Sequence, residues 1–288
     1  KNTGTDKKPV FKLMMKNFLQ DEMIDWGGSC QPAFADLDGD GDDDLFIASP
    51  GEFTATLNTA DRIFYYKNVN TKFNPRYVLE DTNWLSLSAK KYSGMRITFG
   101  DVNGDTKKDL LIGESNGLLK YYVNTTVGST ISFAENTTQL ASFNDRNYCA
   151  PYLVDFDRDG KLDLFTGNYD GTVRYYRNTG TPTAPLFTLQ RDSVGKICTR
   201  ELYVDWATGE RTFYGEGMSV PVVADLNNDT LLDLLVGGKY GLYLYKNFAA
   251  KMGDSLTAVD KVVSMIKGKP NVLRPTGYYA APAVANVD

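Results

Sequence analysis

The stretch Asp36-Leu37-Asp38-Gly39-Asp40-Gly41-Asp42-Asp43-Asp44 sets six acidic side chains in nine positions. Their mutual repulsion makes such a loop costly unless a cation neutralises it. Carboxylates at positions 1, 3, 5 and 9 suit a hard divalent ion, because a tight loop can wrap that spacing around one centre. Calcium accepts about six to eight oxygens at flexible angles, and position 7 commonly adds a backbone carbonyl. Gly41 at position 6 permits the sharp turn, since no Cβ clashes there at positive φ.

The spacing recurs in Asp101, Asn103, Asp105 and Asp109, in Asp155, Asp157, Asp159 and Asp163, and in Asp225, Asn227, Asp229 and Asp233. A fifth copy begins at Asn286-Val287-Asp288. A random acidic cluster does not reproduce one oxygen pattern four times. Ca²⁺ at about four sites is therefore the expected cofactor.

The elements that must hold these loops repeat with them. First aspartates fall at 36, 101, 155 and 225, intervals of 65, 54 and 70 residues, which indicates repeated supersecondary units. Pro32, Pro151, Pro221 and Pro282 each stand four residues before position 1, and Ile97 takes that place in the second unit. A short apolar run follows each loop, closed by Gly113, Gly167 and Gly237 in three of them. A tyrosine-rich run comes next, as in Ile63-Phe64-Tyr65-Tyr66-Lys67-Asn68 and Val173-Arg174-Tyr175-Tyr176-Arg177-Asn178. Such runs, bounded by Gly and Asn, indicate strands. A fainter fourth strand is expected at Phe187-Thr188-Leu189 and Phe11-Lys12-Leu13. Residues near 256–266 allow either a helix or a strand.

The fold class expected is all-β: a β-propeller of four-stranded antiparallel blades, with calcium-binding turns between first and second strands. Radial packing hides both faces of sheets too small to do so alone. Blades are expected at 32–96, 97–150, 151–220 and 221–281. Residues 1–31 read as the back half of a preceding blade with its connector, and 282–288 as the first strand of a further, truncated one. The chain thus reads as a fragment of a longer protein whose other blades or domains are partners.

Composition sets limits. The 288 residues carry 42% hydrophobic and 23% charged side chains, ordinary for a soluble protein. No apolar run is long enough for a membrane-spanning helix, and no basic stripe suggests nucleic acid. The net charge of −5 would become +3 with four calcium ions bound, so the acidity belongs to the loops. Cys30, Cys149 and Cys198 read as small buried thiols rather than a disulfide framework. There is no histidine, which excludes a Ser-His-Asp triad, histidine-ligated zinc and an imidazole base. Glu114, Glu216 and Asp25 remain as acid–base candidates, each readable as an ordinary surface charge.

The four loops with their apolar-Gly sequels resemble the FG-GAP/VCBS repeat family, whose propellers include the integrin α-subunit head and several secreted lectins. The resemblance covers essentially the whole chain. It implies calcium ligands at positions 1, 3, 5 and 9, with the carbonyls of Asp42, Lys107, Lys161 and Leu231 at position 7. The departures are Asn103 and Asn227 at position 3 and Thr106 and Thr230 at position 6, so loops two and four are expected to bind more weakly. The resemblance also implies that metal turns share one face, and that inter-blade connections line the other. There lie Trp26, Trp84 and Trp206, with Tyr169 and Tyr240 in short turns. An exposed indole beside a carboxylate would suit a sugar; a buried one would pack loops onto the propeller shoulder.

Three functions are open on this reading. The first is an extracellular, calcium-dependent recognition module for a glycan or protein ligand, in a secreted or cell-surface protein. The second is a scaffold propeller without a ligand, and the third a carbohydrate-active enzyme. Asn124 and Asn136 head Asn-x-Thr acceptor patterns for glycosylation.

Overall fold

The apolar runs that follow the acidic loops become the second strands of four sheets, and they set the architecture. Asp44–Ser49, Asp109–Gly113 and Asp163–Gly167 are buried at every position. A strand covered on both faces has no need to alternate, which is why these segments read as continuous apolar runs. The computed structural model describes residues 26–283 apart from 27, 51–52, 55–56, 59, 141, 182, 227–228, 240, 257, 259–262, 267–268 and 273–279. The strand expected at Phe11–Leu13, Asp25, Asn227, Tyr240 and the stub Asn286–Asp288 lie outside the described residues.

The described residues form an all-β propeller of four blades. Blade one orders Gln31–Ala35, Asp44–Ser49, Arg62–Asn68 and Tyr77–Asp81 as an antiparallel meander. Blade two repeats it with Arg96–Gly100, Asp109–Gly113, Leu119–Asn124 and Phe133–Asn136. Blade three uses Ala150–Val154, Asp163–Gly167, Val173–Asn178 and Phe187–Arg191. Blade four shows three strands among the described residues, Val220–Ala224, Asp233–Gly238 and Gly241–Tyr245. The outermost strands are largely exposed, as at Phe133–Asn136 and Phe187–Arg191, so their apolar signal is faint.

The core lies between blades rather than within them. Phe46, Tyr65 and Leu87 meet Ile97, Leu110 and Tyr122 between blades one and two. Leu111 and Tyr121 meet Leu164 and Tyr176 between blades two and three. Phe165 and Tyr175 meet Val236 and Tyr245 between blades three and four. First strands converge on an inner cavity of about 220 Å³, to which Ala33, Thr98, Leu153, Val222 and Pro282 contribute.

Glycine and proline make the close inter-blade step. A Cβ on Gly113 would strike the Cys149 carbonyl and the Pro151 ring of the next blade. Gly167 stands in the same relation to Ser219 and Pro221, and Gly237 to Ala280 and Pro282. Between blades one and two both members change, to Ala48 and Ile97. Ile97 carries an N–H that proline lacks, and it donates to Gln31 Oε1 at 2.7 Å.

Outside the blades, Glu201–Val204 pairs with Arg211–Tyr214 in a hairpin between blades three and four that the sequence reading did not contain. Near residues 256–266 the strand alternative holds where the chain is described: Val263–Ile266 pairs with Lys269–Val272. β-Branched Val263 and Ile266 suit an extended chain better than a helix. Among the described residues helix is confined to short 3-10 segments, and no helix is long and apolar enough to cross a membrane.

Candidate functional site

Each acidic loop closes on its own carboxylates. The position-1 aspartate accepts the position-6 backbone N–H in all four: Gly41 to Asp36 at 3.0 Å, Thr106 to Asp101 at 2.8 Å, Gly160 to Asp155 at 3.0 Å and Thr230 to Asp225 at 2.7 Å. The position-5 aspartate accepts the position-7 N–H: Asp42 to Asp40, Lys107 to Asp105, Lys161 to Asp159 and Leu231 to Asp229, at 2.9–3.2 Å. These bonds curl the chain so that position 6 needs positive φ, 93° at Gly41 and 86° at Gly160. Thr106 and Thr230 adopt 72° and 70°, a region disfavoured for β-branched residues. Position 4 has the same requirement, met by Gly39, Gly104 and, less comfortably, Arg158 at 61°.

The curl brings oxygens together. Carboxylate oxygens of Asp36, Asp38 and Asp40 lie within 4.8 Å of one another, as do those of Asp155, Asp157 and Asp159. In loop two Asn103 sits between the acids, its side-chain amide donating to Asp105 Oδ2 at 3.2 Å. The loops share one end of the propeller: Lys108 of loop two reaches Asp43 of loop one at 3.3 Å, and Arg158 of loop three donates to the Thr230 carbonyl of loop four at 3.0 Å.

Position 9 is tied to the third strand. Asp44 accepts the Asn68 N–H at 2.7 Å and the Tyr65 hydroxyl at 2.9 Å. Asp109 does the same with Asn124 and Tyr121, and Asp163 with Asn178 and Tyr175. These acids are buried and clamp the third strand to the second. Burial pushes the Asp44 carboxyl up to about 6 despite the two hydrogen bonds, and raises those of Asp109 and Asp163. In blade four Leu244 occupies the place of the tyrosine, and Asp233 keeps only the Asn247 N–H, its Oδ2 buried without a partner.

The donor set fits a hard divalent cation. Each loop offers oxygens alone, in the spacing such an ion takes. The Asp42 Oδ1 atom is buried without a hydrogen-bond partner, and burial followed by the nearby Asp40, Asp36 and Asp38 charges pushes that carboxyl up. A carboxylate oxygen left without a protein donor, as Asp42 Oδ1 is, suits a loop that a bound cation would neutralise.

The three tryptophans separate into different roles. Trp84 is 6% exposed, wedged among Phe46, Tyr65, Phe99 and Phe133 at 4.7–6.2 Å between ring centroids. The sugar-platform expectation is corrected there: the indole fills the seam between blades one and two, where Val194 fills the seam between blades three and four. Trp26 is 36% exposed; it stacks on Phe64 at 3.9 Å and donates its indole N–H to the Tyr66 hydroxyl at 2.6 Å. Trp206 is 91% exposed, in the turn of the extra hairpin, whose Leu202, Tyr203, Val204 and Phe213 are also exposed. Tyr169 is half-exposed near Tyr148, with ring centroids 5.7 Å apart, and its backbone bridges the connections before and after blade three.

Glu114 is buried with Lys120 Nζ at 3.4 Å, and Glu216 has Lys239 at 3.8 Å. No disulfide joins Cys30, Cys149 and Cys198; Cys149 is buried as expected, whereas Cys30 and Cys198 are only partly so. Asn124 is buried, its side-chain amide donating to the Lys108 carbonyl at 2.9 Å, so the folded chain offers no glycan acceptor there. An unforeseen ionic cluster secures the connection from blade two to blade three. Buried Asp145 accepts from Thr166 and Arg174, and Arg174 continues to Asp192 at 2.7 Å. The partners lie tens of residues apart, and no local pattern announces them.

The FG-GAP-like repeat model matches residues 36–112, 101–166 and 155–236. Integrin alpha-8 of Mus musculus is 25% identical over 221 residues, 73% of this chain and 20% of the relative. The chain thus spans about a fifth of the length of that curated relative.

Proposed function

Since the chain belongs to the FG-GAP-like repeat family, we propose that it is a calcium-stabilised recognition module of the adhesion kind, set within a larger secreted or cell-surface protein. Calcium would be held by Asp36, Asp38, Asp40 and Asp44 with the Asp42 carbonyl, and by the corresponding residues of the other three loops. When bound, the ion supplies charge neutralisation and a cross-link across the turn. The loops supply the rest: they pre-form the curl through their own N–H groups and tie position 9 to the third strand. Ions held this way by short exposed loops match calcium-rich extracellular fluid.

The observation that carries the recognition reading is the exposed aromatic hairpin between blades three and four. Carboxylate loops occupy one end, while an aromatic hairpin stands outside the blades with Trp206 almost wholly in solvent. An aromatic side chain left in water on a protruding element is a ready anchor for a protein or glycan ligand. The likeness to integrin alpha-8 favours a protein ligand. Burial of Trp84 and stacking of Trp26 favour the scaffold reading for those two positions only.

A binding screen against arrayed extracellular proteins and glycans, in millimolar calcium with a chelated control, tests this. The reading expects a calcium-dependent hit that W206A abolishes without changing the melting temperature. A folded, calcium-loaded chain that binds nothing, or a hit indifferent to Trp206, would overturn the assignment of that face.

A further inference from the structure

The loops differ in a feature that counting carboxylates misses. The third strand of each blade ends on a segment that lies against the loop: Tyr66-Lys67-Asn68, Tyr122-Val123-Asn124, Tyr176-Arg177-Asn178 and Tyr245-Lys246-Asn247. Register is fixed, because the asparagine N–H donates to the position-9 aspartate in every blade, at 2.7–2.9 Å. The residue before the asparagine therefore occupies one equivalent place beside each loop.

In blade one that residue is Lys67, whose ammonium is bonded to Asp38 and lies 3.8 Å from Asp40. In blade three it is Arg177, with Nε 2.5 Å from Asp157 and Nη2 3.2 Å from Asp159. Both therefore sit on positions 3 and 5 of the loop. In blade two the place belongs to Val123, and the loop's own lysines turn elsewhere: Lys107 donates to the Thr126 carbonyl at 2.9 Å, and Lys108 pairs with Asp43. Blade four has Lys246 there, beside a loop described only in part.

We propose that the side chain preceding the strand-end asparagine is a tethered countercation that sets the metal affinity of its loop. Lys67 neutralises positions 3 and 5 of loop one, and Arg177, with Lys161 also 3.3 Å from Asp159, those of loop three, until a divalent cation displaces them, whereas loop two binds without any such exchange. The charge lost at Asn103 is thereby partly offset, and the order of affinities expected from carboxylate number is compressed. The proposal rests on the calcium reading of the loops. Lys67 and Arg177 are partly exposed, so the ion pairs to be broken are weak ones. The expected effect on a loop is accordingly modest, about two- to tenfold in dissociation constant.

Titration of the whole chain with Ca²⁺, followed by the backbone amide resonances of Gly41, Thr106 and Gly160, reads loops one, two and three separately. K67M should tighten loop one and R177M loop three, each about two- to tenfold, with the loop-two midpoint unmoved. V123K should weaken loop two by a similar factor, while V123Q, which alters shape without charge, leaves it in place. Unchanged midpoints in K67M, R177M and V123K, with calcium still binding, would overturn the proposal alone. Absence of a saturable shift in any loop would overturn the calcium reading and this proposal with it.

Discussion

At the residue scale, each loop is a compromise between backbone geometry and charge. The curl demands positive φ at position 6, which glycine supplies freely and threonine only under strain. T106G should therefore stabilise the metal-free chain by about 0.5–1 kcal/mol in urea unfolding, and T230G likewise; a loss of stability would show that the threonine side chains carry a compensating contact. The position-9 acids make a second case. Asp44 is pushed up to about 6 by burial, above its ordinary 3.8. Between those values the native chain holds a proton that the unfolded chain releases. That contribution is complete below the unfolded value and fades as pH rises through about 6. In chelator, the stability difference between wild type and D44N should narrow as pH rises from about 4 to about 7, and calcium should widen it again at neutral pH by favouring the ionised carboxylate. Parallel pH profiles for the two proteins, with and without calcium, would refute this.

At the element scale, the blades are held by what neighbouring strands allow to approach. Gly167 lets the carbonyl of Ser219 and the ring of Pro221 close upon it, where a methyl group has no room. G167A should cost about 1–3 kcal/mol as overpacking against backbone, whereas A48G, in the seam built around alanine, should cost about 1 kcal/mol or less. Equal effects from the two changes would mean that the Gly–Pro step does not control blade spacing. These elements were largely legible in the chain, because the loops, the buried second strands and the tyrosine runs each carry local periodicity. Position 4 was not recognised as a second positive-φ site, although Gly39 and Gly104 both mark it. Nor was the bond from Tyr65, Tyr121 and Tyr175 to the position-9 acid, although each tyrosine stands three residues before the strand-end asparagine. The burial of Trp84 and the exposure of Trp206 could not be read in the same way. A tryptophan looks alike in sequence whether a neighbouring blade covers it or not, and coverage is decided by tertiary packing.

At the scale of the whole molecule, the acidic loops and the most exposed aromatic side chain belong to different elements. Carboxylate loops gather at one end, bridged to each other by Lys108 and Arg158. The extra hairpin with Trp206 projects from a connection between blades three and four, and Trp206 is almost wholly exposed. Calcium is expected to bind the native chain and not the unfolded one. The direct test is the melting temperature of the intact chain in millimolar Ca²⁺, in millimolar Mg²⁺ and in chelator. Each loop saturated to about a hundredfold over its dissociation constant adds about 2.7 kcal/mol. With several loops filled, calcium should raise the melting temperature by at least about 5 °C over chelator, and magnesium should raise it far less. Coincident melting curves in calcium and in chelator would contradict the claim that these loops are metal sites.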